Sequence, residues 1–340
     1  MQYVPVFDSD NQPLMPTKKS RAIAWVKSRK ATPFYKKGVW CVRLNVEPSA
    51  RNFQPICVGI DPGSKREGFT VKSSSHTYLN AQTHAVDWVK DAEESSTNAR
   101  RARRYRKTPY RANRKNRSKG GIPPSTKARW QWKLRIVNWL TKLYPVTHFS
   151  VEDIKAKTFK NGRKWNLMFS PLEVGKTWFS HELRRIGTLE IYQGTDTYEM
   201  RQALGLKKSK NKLSNDFNAH CIDSWVLANA VTDGHEKPDN TNVLEIVPLR
   251  FHRRQLHVFN PGKNGYRRPY GGTRSQGFKR GAIVKNKKYG VCYVGGEDIK
   301  KCRISLHNIT TGKRLTQSAK PSDTRHLCFN SWRFTAVKTA

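Results

Sequence analysis

Residues 56–63, Ile56-Cys57-Val58-Gly59-Ile60-Asp61-Pro62-Gly63, decide how the rest of the chain is read. Five apolar residues in a row, stopped by an acid, a proline and a glycine, predict a strand buried on both faces that ends in a turn. Gly68-Phe69-Thr70-Val71 and the stretch from Thr77 to Val86 predict the next two strands of a meander. Val146 to Ile154 predicts another, with Phe149 and Val151 facing one way and Ser150 and Glu152 the other. Trp132, Ile136, Trp139, Leu140 and Leu143 fall at helical spacing and predict an amphipathic helix of about four turns. Trp178, Phe179, Leu183 and Ile186 predict a further helix, and Leu189-Glu190-Ile191-Tyr192 a further strand. Leu206 to Lys212 reads as a basic loop. Ser214 or Asn215 is placed to cap a helix from about Asp216 to Ala230.

Composition bounds the function. The chain has 340 residues, 65 Lys and Arg against 25 Asp and Glu, and a formal charge of +40. Self-repulsion on that scale calls for an anionic partner, and nucleic acid is the commonest. A metabolic enzyme for small neutral molecules is a poor match. Disorder is excluded by a 36% hydrophobic content with 10 Trp, 12 Tyr and 14 Phe, enough for a core. No apolar run has the length of a membrane span or the form of a signal peptide. The six cysteines are scattered without a Cys-x-x-Cys pair, which fits small buried hydrophobes in a reducing cytosol.

Two regions depart from the globular texture. From Asn98 to Lys119 eleven of 22 residues are Lys or Arg and none is acidic. Its first half, Asn98 to Arg106, predicts a helix, with Pro109 breaking it. Arg100, Arg101, Arg103, Arg104, Arg106, Lys107, Arg111 and Arg114 are candidates for phosphate contacts; a solvated basic face is the plainer reading. Beyond Val247 the chain turns basic, Gly-rich and strand-like, with Arg267, Arg268, Arg274, Lys279 and Arg280 as further nucleic-acid candidates. Near the start, Pro13-Leu14-Met15-Pro16 carries two prolines that argue against regular structure there.

Acids are scarce, so their positions are informative. Asp61 ends one strand, Glu152 ends another on its polar face, and Asp223 lies on a helix three residues after His220. Carboxylates from neighbouring strand ends and a helix across them can hold two divalent ions about 4 Å apart. Mg²⁺ suits such hard oxygen ligands, and Mn²⁺ is the alternative. A nearby histidine can take the proton of the attacking water. Asp153 is expected to point away from Glu152, and Asp216 competes with Asp223 or caps the helix.

Val58 to Ser64, Val151-Glu152-Asp153 and His220 to Ala228 resemble the three segments of a split RuvC nuclease. The Arg-rich stretch resembles the bridge helix of CRISPR type II effectors and their transposon-borne relatives. Pro13-Leu14-Met15-Pro16 is similar to the signature of the PLMP domain of the IscB and IsrB families. Arg253 to His257 and Lys279 to Val284 resemble that family's end that reads a DNA motif. IscB carries an HNH domain between its second and third RuvC segments. Here Glu152 and His220 are 68 positions apart, and besides the RuvC elements the interval holds one histidine, His181. The resemblance is therefore to IsrB, the HNH-lacking relative.

That resemblance implies an α/β fold: an RNase H-like, split RuvC core with an Arg-rich bridge helix, an N-terminal PLMP domain and a small C-terminal β-rich domain. It implies boundaries at 1–53 (PLMP), 54–92 (RuvC I), 93–122 (bridge helix and linker), 123–160 (RuvC II), 161–247 (RuvC III) and 248–340 (C-terminal domain). It implies an RNA-guided nickase that cuts the displaced strand, with Asp61, Glu152, Asp223 and His220 at the catalytic site and two Mg²⁺ ions held by the three acids. The implied partners are a large noncoding guide RNA (omega RNA) and double-stranded DNA bearing a short adjacent motif, with the protein monomeric in the complex. The implied setting is a prokaryotic cytoplasm, on the nucleoid when DNA is bound. A guide-independent, structure-specific endonuclease and a nuclease-inactive RNA-binding protein are the competing readings.

Overall fold

The computed structural model describes residues 2–48, 50–105, 122–153, 171–249, 274–329 and 331–337. The N-terminal strands are β1 (Tyr3–Phe7), β2 (Pro13–Lys18), β3 (Ala31–Lys36) and β4 (Val39–Leu44), with helix α1 (Lys19–Lys27) between β2 and β3. They form a sheet in the order β2-β1-β4-β3. Val4, Val6, Leu14, Ala22, Ala31 and Val42 make its core. The expectation that Pro13 and Pro16 forbid regular structure is corrected: both lie within β2. This strand is at the sheet edge, where a missing N–H costs nothing on the open side. Its register against β1 shifts between Val4 and Val6, so a bulge absorbs the second proline.

The central strands are β5 (Cys57–Asp61), β6 (Arg66–Lys72), β7 (Thr77–His84), β8 (His148–Asp153), β9 (Thr188–Gln193) and β10 (Val243–Pro248). The helices among them are α2 (Val89–Tyr105), α3 (Pro124–Leu140), α4 (Pro171–Arg184), α5 (Gly194–Ala203) and α6 (Phe217–Thr232). Beyond them come β11 (Arg274–Ser275), β12 (Phe278–Lys279), β13 (Ala282–Asn286), β14 (Gly290–Asp298), β15 (Arg303–Asn308), β16 (Arg314–Ala319), β17 (Thr324–Phe329) and β18 (Trp332–Val337). The protein is thus mixed α/β, with a seven-stranded sheet in the order β18-β10-β7-β6-β5-β8-β9. The strands β5, β6 and β7 form the expected antiparallel meander, while β8 runs parallel to β5 and β9 parallel to β8.

Alternation along the strands assigns each face its helices. Val58, Ile60, Phe69 and Val71 share a core with Trp130, Trp132, Ile136 and Val137 of α3. A buried ion pair, Lys133 Nζ to Glu67 Oε1 at 2.7 Å, joins α3 to β6 within that layer. The opposite face carries α6. A Cβ on Gly59 would stand 1.8 Å from the Ser224 carbonyl oxygen, and one on Gly68 2.2 Å from that of His220. Two glycines on adjacent strands therefore let α6 lie directly on the backbone of β5 and β6. Thr70 Oγ1 and Ser224 Oγ, 2.9 Å apart, seal the same contact.

The N-cap position of α6 is Asp216, not Ser214 or Asn215. At the far end of α6, Lys72 Nζ donates to the Asp233 carbonyl at 2.7 Å, a cation on the negative end of the helix dipole. The five-stranded sheet β16-β15-β14-β13-β17 has its own core of Ala282, Val284, Cys292, Val294, Ile304 and Leu306. The implied 248–340 unit is not wholly separate, however, because β18 pairs antiparallel with β10 in the central sheet. Trp332 anchors it, 1% exposed and edge-on to Trp132 and Trp139 at 5.7 Å from each. All six cysteines are free thiols. Among the described residues no helix is long and apolar enough to cross a membrane.

Candidate metal centre and nucleic-acid surfaces

Strand parity brings the acids together. Gly59 pairs with Ser150 and Ile60 with Val151, which puts Asp61 beside Glu152 at the ends of two parallel strands. Asp61 shares the parity of Gly59, and Glu152 that of Ser150, so both carboxylates face α6. Asp223 lies on α6 between the two residues, His220 and Ser224, that touch Gly68 and Gly59. One ligand atom from each of Asp61, Glu152 and Asp223 lies within 4.8 Å of the others. Asp153 has the other parity and pairs with Lys176 Nζ of α4 at 2.6 Å, as its expected direction requires. Asp216 accepts a hydrogen bond from Ser214 Oγ at 2.5 Å and is outside the cluster.

Three acids this close strain one another. Burial pushes the Asp61 carboxyl up; Lys208 pulls it back, and Asp223 and Glu152 push it further, to about 8. Glu152 is raised by burial and by Asp223. The cations that offset this are Arg201 of α5 and Lys208 of the following loop. Arg201 Nη1 donates to Asp223 Oδ1 at 2.5 Å, and Lys208 Nζ bonds Asp223 Oδ2 and lies 3.9 Å from Asp61 Oδ2. Burial alone would lower the Lys208 pKa, but Asp61 and Asp223 outweigh it and raise it.

Neither Arg201 nor Lys208 was a candidate on sequence grounds. The loop around Lys208 reads only as basic, and α5 is a short helix without an apolar stripe. The available signal was indirect: Asp223 falls in a helix otherwise apolar on nearly every side, so its charge needed a partner.

His220 is one turn before Asp223 but is not among the clustered ligand atoms. Its Nε2–H donates to the Lys212 carbonyl at 2.9 Å, which leaves Nδ1 as the acceptor nitrogen of the neutral ring. Burial first, then Lys208 and Arg66, hold its pKa below the usual histidine value. The ring is therefore neutral at physiological pH and competent to take a proton.

The nucleic-acid candidates fall on two surfaces. The helix α2 carries Asp91, Glu93 and Glu94 in its first half and Arg100, Arg101, Arg103 and Arg104 in its last turns, the order that the helix dipole favours. Arg100 and Arg101 are exposed and take no ion pair among the described residues. Arg274, Lys279 and Arg280 gather on and beside the β11–β12 hairpin, all exposed. Arg106, Lys107, Arg111, Arg114, Arg267 and Arg268 lie outside the described residues, as do Pro109 and Arg253 to His257.

The carboxylates bear on the metal expected from sequence. Their donors are all hard oxygens, they are mutually repelled, and internal cations already crowd them; that donor set fits a divalent ion such as Mg²⁺ or Mn²⁺.

Comparison with known proteins gives three findings. Residues 4–164 match a family model described as "RRXRR protein", a pattern that Arg100-Arg101-Ala102-Arg103-Arg104 spells out. No curated protein matches. Among solved structures, the chain is similar to T. thermophilus RuvC in complex with Holliday junction substrate, at 12% identity over 53% of this chain and 97% of that one, with a TM-score of 0.28. It is also similar to a CRISPR-Cas12f ternary complex, at 15% identity over 62% of this chain and 49% of that one, with a TM-score of 0.31.

Proposed function

We propose that the protein is an RNA-guided DNA endonuclease that nicks the displaced strand, built on an RNase H-like core of the split RuvC kind. The observation that carries this reading is the convergence of Asp61, Glu152 and Asp223 on one face of the sheet, from strands and a helix far apart in sequence. The order β7-β6-β5-β8-β9 supports it, with β6 antiparallel to its neighbours and a helix laid across β5. That is the strand plan expected of an RNase H-like core.

A divalent ion held by the three carboxylates would supply the Lewis acidity that generates a nucleophile from water and offsets charge on the leaving oxygen. The chain's own residues do the rest. Arg201 fixes the Asp223 carboxylate from behind. His220 offers Nδ1 to a proton leaving the attacking water, its tautomer set by the Lys212 carbonyl. Lys208, once drawn off Asp223, is within reach of a phosphate lying over the cluster. The arginines of α2 bind backbone phosphates of a guide–target duplex by its A-form shape, leaving the choice of sequence to base pairing. A large noncoding guide RNA suits the charge of +40 better than a short DNA duplex does.

With one carboxylate centre among the described residues and no HNH set in the sequence, one strand is cut per complex. Purified with its RNA, the wild type should convert supercoiled target plasmid to open circle, with the nick on the strand not paired to the guide. Asp61→Ala should bind the target and cut neither strand. Prompt linear product, a nick on the guide-paired strand, or wild-type cutting by Asp61→Ala would each overturn the proposal. Heterogeneous RNA in place of one defined species would overturn the guided part of it.

A further inference from the structure

A cleft opens beside the carboxylates, on the side of β5 away from Glu152. Its lining, around a volume of about 580 Å³, includes Lys65 and Arg66 at the β5–β6 turn, Asp87 and Trp88 at the entry to α2, Arg129 of α3 and Leu213 of the loop before α6. Lys65, Arg66 and Asp87 flank β6 and β7, whereas β8, which carries Glu152, neighbours β5 on the other side. Lys65 follows Asp61 by four positions, at most about 14 Å of extended backbone. At a rise of about 3.4 Å per nucleotide, a strand on Asp61 reaches the cleft within about four nucleotides. The cleft also shares its wall with the chain that holds His220. The His220 ring bonds the Lys212 carbonyl, next to Leu213, and the Ser214 carbonyl accepts from Gln82 Nε2 at 3.0 Å and from Arg66 Nη1 at 3.4 Å.

Three observations say what this cleft takes. The first is charge. Lys65 and Arg129 are exposed and make no ion pair among the described residues. Arg129 Nε donates to the Val86 carbonyl at 3.5 Å and feels Glu67 only through space, because Glu67 is paired with Lys133. Arg66 Nη1 donates to neutral acceptors, the Asn215 side-chain oxygen and the Ser214 carbonyl. Asp87 is the one acid in the lining, so Lys65, Arg66 and Arg129 face a single carboxylate. Glu245, on the strand next to β7, is bonded to His84 Nε2 at 2.7 Å. The second is Leu213, 65% exposed, more than any other large hydrophobic side chain among the described residues. It is held out by a structured turn: its N–H donates to Asn211 Oδ1 at 3.0 Å, and the Ser214 N–H to the Asn211 carbonyl at 3.2 Å. With the half-buried Trp88 it offers an apolar surface on which a base can lie, and a base laid there has to be unpaired. The third is size: the volume falls within the range of about 300–1,000 Å³ of small-ligand sites, which suits one nucleotide.

We propose that this cleft seats one unpaired nucleotide of the DNA strand that lies over the carboxylates, its phosphate held by Lys65, Arg66 and Arg129 and its base against Leu213 and Trp88. The identity of that strand rests on the nuclease reading. The seat grips the strand on one side of the scissile phosphate, so these side chains position the substrate and take no part in the chemistry.

The test is binding of labelled single-stranded DNA, and of RNA of the same sequence, by fluorescence anisotropy across a salt series with chelator present. The protein is used as it purifies, with any RNA it carries, so that surfaces claimed by RNA are already covered. Each lost phosphate contact on a single strand removes about 0.7 from the slope of log K against log salt, so Lys65→Gln with Arg129→Gln should lose about 0.7 or more. Leu213→Ser, at a side chain too exposed to matter to folding, should weaken binding about fivefold with the slope unchanged. Asp87→Asn should act in the opposite direction and tighten binding by up to about fivefold. A control that removes the same charge elsewhere, Lys18→Gln with Lys19→Gln, should lose less than half of what the cleft pair loses. An unchanged slope in the cleft pair, wild-type affinity in Leu213→Ser, weaker binding by Asp87→Asn, a control that loses as much, or losses confined to RNA would each overturn the proposal. Mg²⁺ in place of chelator reports cutting separately. The expected losses in a protein that never cuts would keep the seat and overturn the nuclease reading, and cutting with unchanged slopes would do the reverse.

Discussion

Lys208→Met should raise the affinity of the nucleic-acid-free protein for Mn²⁺ by about 30-fold. The ammonium bonds Asp223 and stands 3.9 Å from the Asp61 carboxylate, where an incoming cation must displace it or endure its repulsion. At an effective dielectric of about 20, two unit charges at that distance interact by about 4 kcal/mol. The Lys208 side chain is 33% exposed, so solvent and salt screen part of this, and we take about half, or about 2 kcal/mol. At 1.4 kcal/mol per tenfold that is about 30-fold. Removing Lys208 also removes what holds the Asp61 pKa down, so in the variant it rises above the wild-type value of about 8 and protons compete harder with the metal. The measurement therefore runs as a pH series upward from about 8.5, the 30-fold being read where affinity stops changing with pH, by electron paramagnetic resonance of free Mn²⁺, with Lys212→Met as a control from the same loop. An affinity unchanged or weakened by Lys208→Met, or raised equally by Lys212→Met, would refute the reasoning.

Chelator-treated wild type should lose thermal stability as pH rises from about 5 to 8.5. Asp61 keeps its proton in the folded state up to about 8, whereas an ordinary Asp loses it near 3.8, so folding takes up a proton across that window and is opposed as protons become scarce. Asp61→Asn should flatten the profile, and an equal slope in both proteins would count against it. Lys133→Met leaves Glu67 charged and unpaired at 0% exposure and should cost about 3–5 kcal/mol in urea unfolding, most of it recovered by adding Glu67→Leu. Gly59→Ala forces α6 away from β5 and should cost at least about 3 kcal/mol; a loss under 1 would mean that the helix slides freely. Replacing Arg100, Arg101, Arg103 and Arg104 with Gln should flatten the salt dependence of guided DNA binding by about 0.9 per lost phosphate contact, and an unchanged slope would favour a solvated face.

The core of the fold was legible because it is written in local periodicity. The run at 56–60 and the alternation at 146–154 located β5 and β8, and the same alternation placed Glu152 and Asp153 on opposite faces. Helix α3 followed from five large apolar residues at helical spacing. What local pattern cannot hold was missed. Strand β18 joins the sheet at β10 across more than eighty residues of intervening chain, and only packing of Trp332 between two distant tryptophans records it. Pro13 and Pro16 argue against a strand only if both sides are paired, and sequence does not reveal which strands are edges. The cations at the centre were hidden for another reason. Among 65 Lys and Arg, nothing in composition marks Arg201 and Lys208 as the two that turn inward.

The charge imbalance is not spread evenly, and this bears on how the centre fills. Many of the scarce acids are bound to bases inside the molecule: Glu67 to Lys133, Asp8 to Arg51, Asp153 to Lys176, Asp223 to Arg201 and Lys208. Arg100 and Arg101 on α2, Arg135 on α3, and Arg274 and Lys279 on the β11–β12 hairpin are by contrast exposed and make no ion pair among the described residues. Such a field repels a divalent ion before it reaches the carboxylates. A bound polyanion reverses the sign of that field and competes for Lys208 at the same time. Both effects favour cation entry only once a strand is in place, so metal and nucleic acid must each raise the other's affinity by the same factor. On the proposed function, the centre is expected to load metal weakly in the free protein and more tightly once any strand is bound, so the affinity for Mn²⁺ should rise when single-stranded nucleic acid is added.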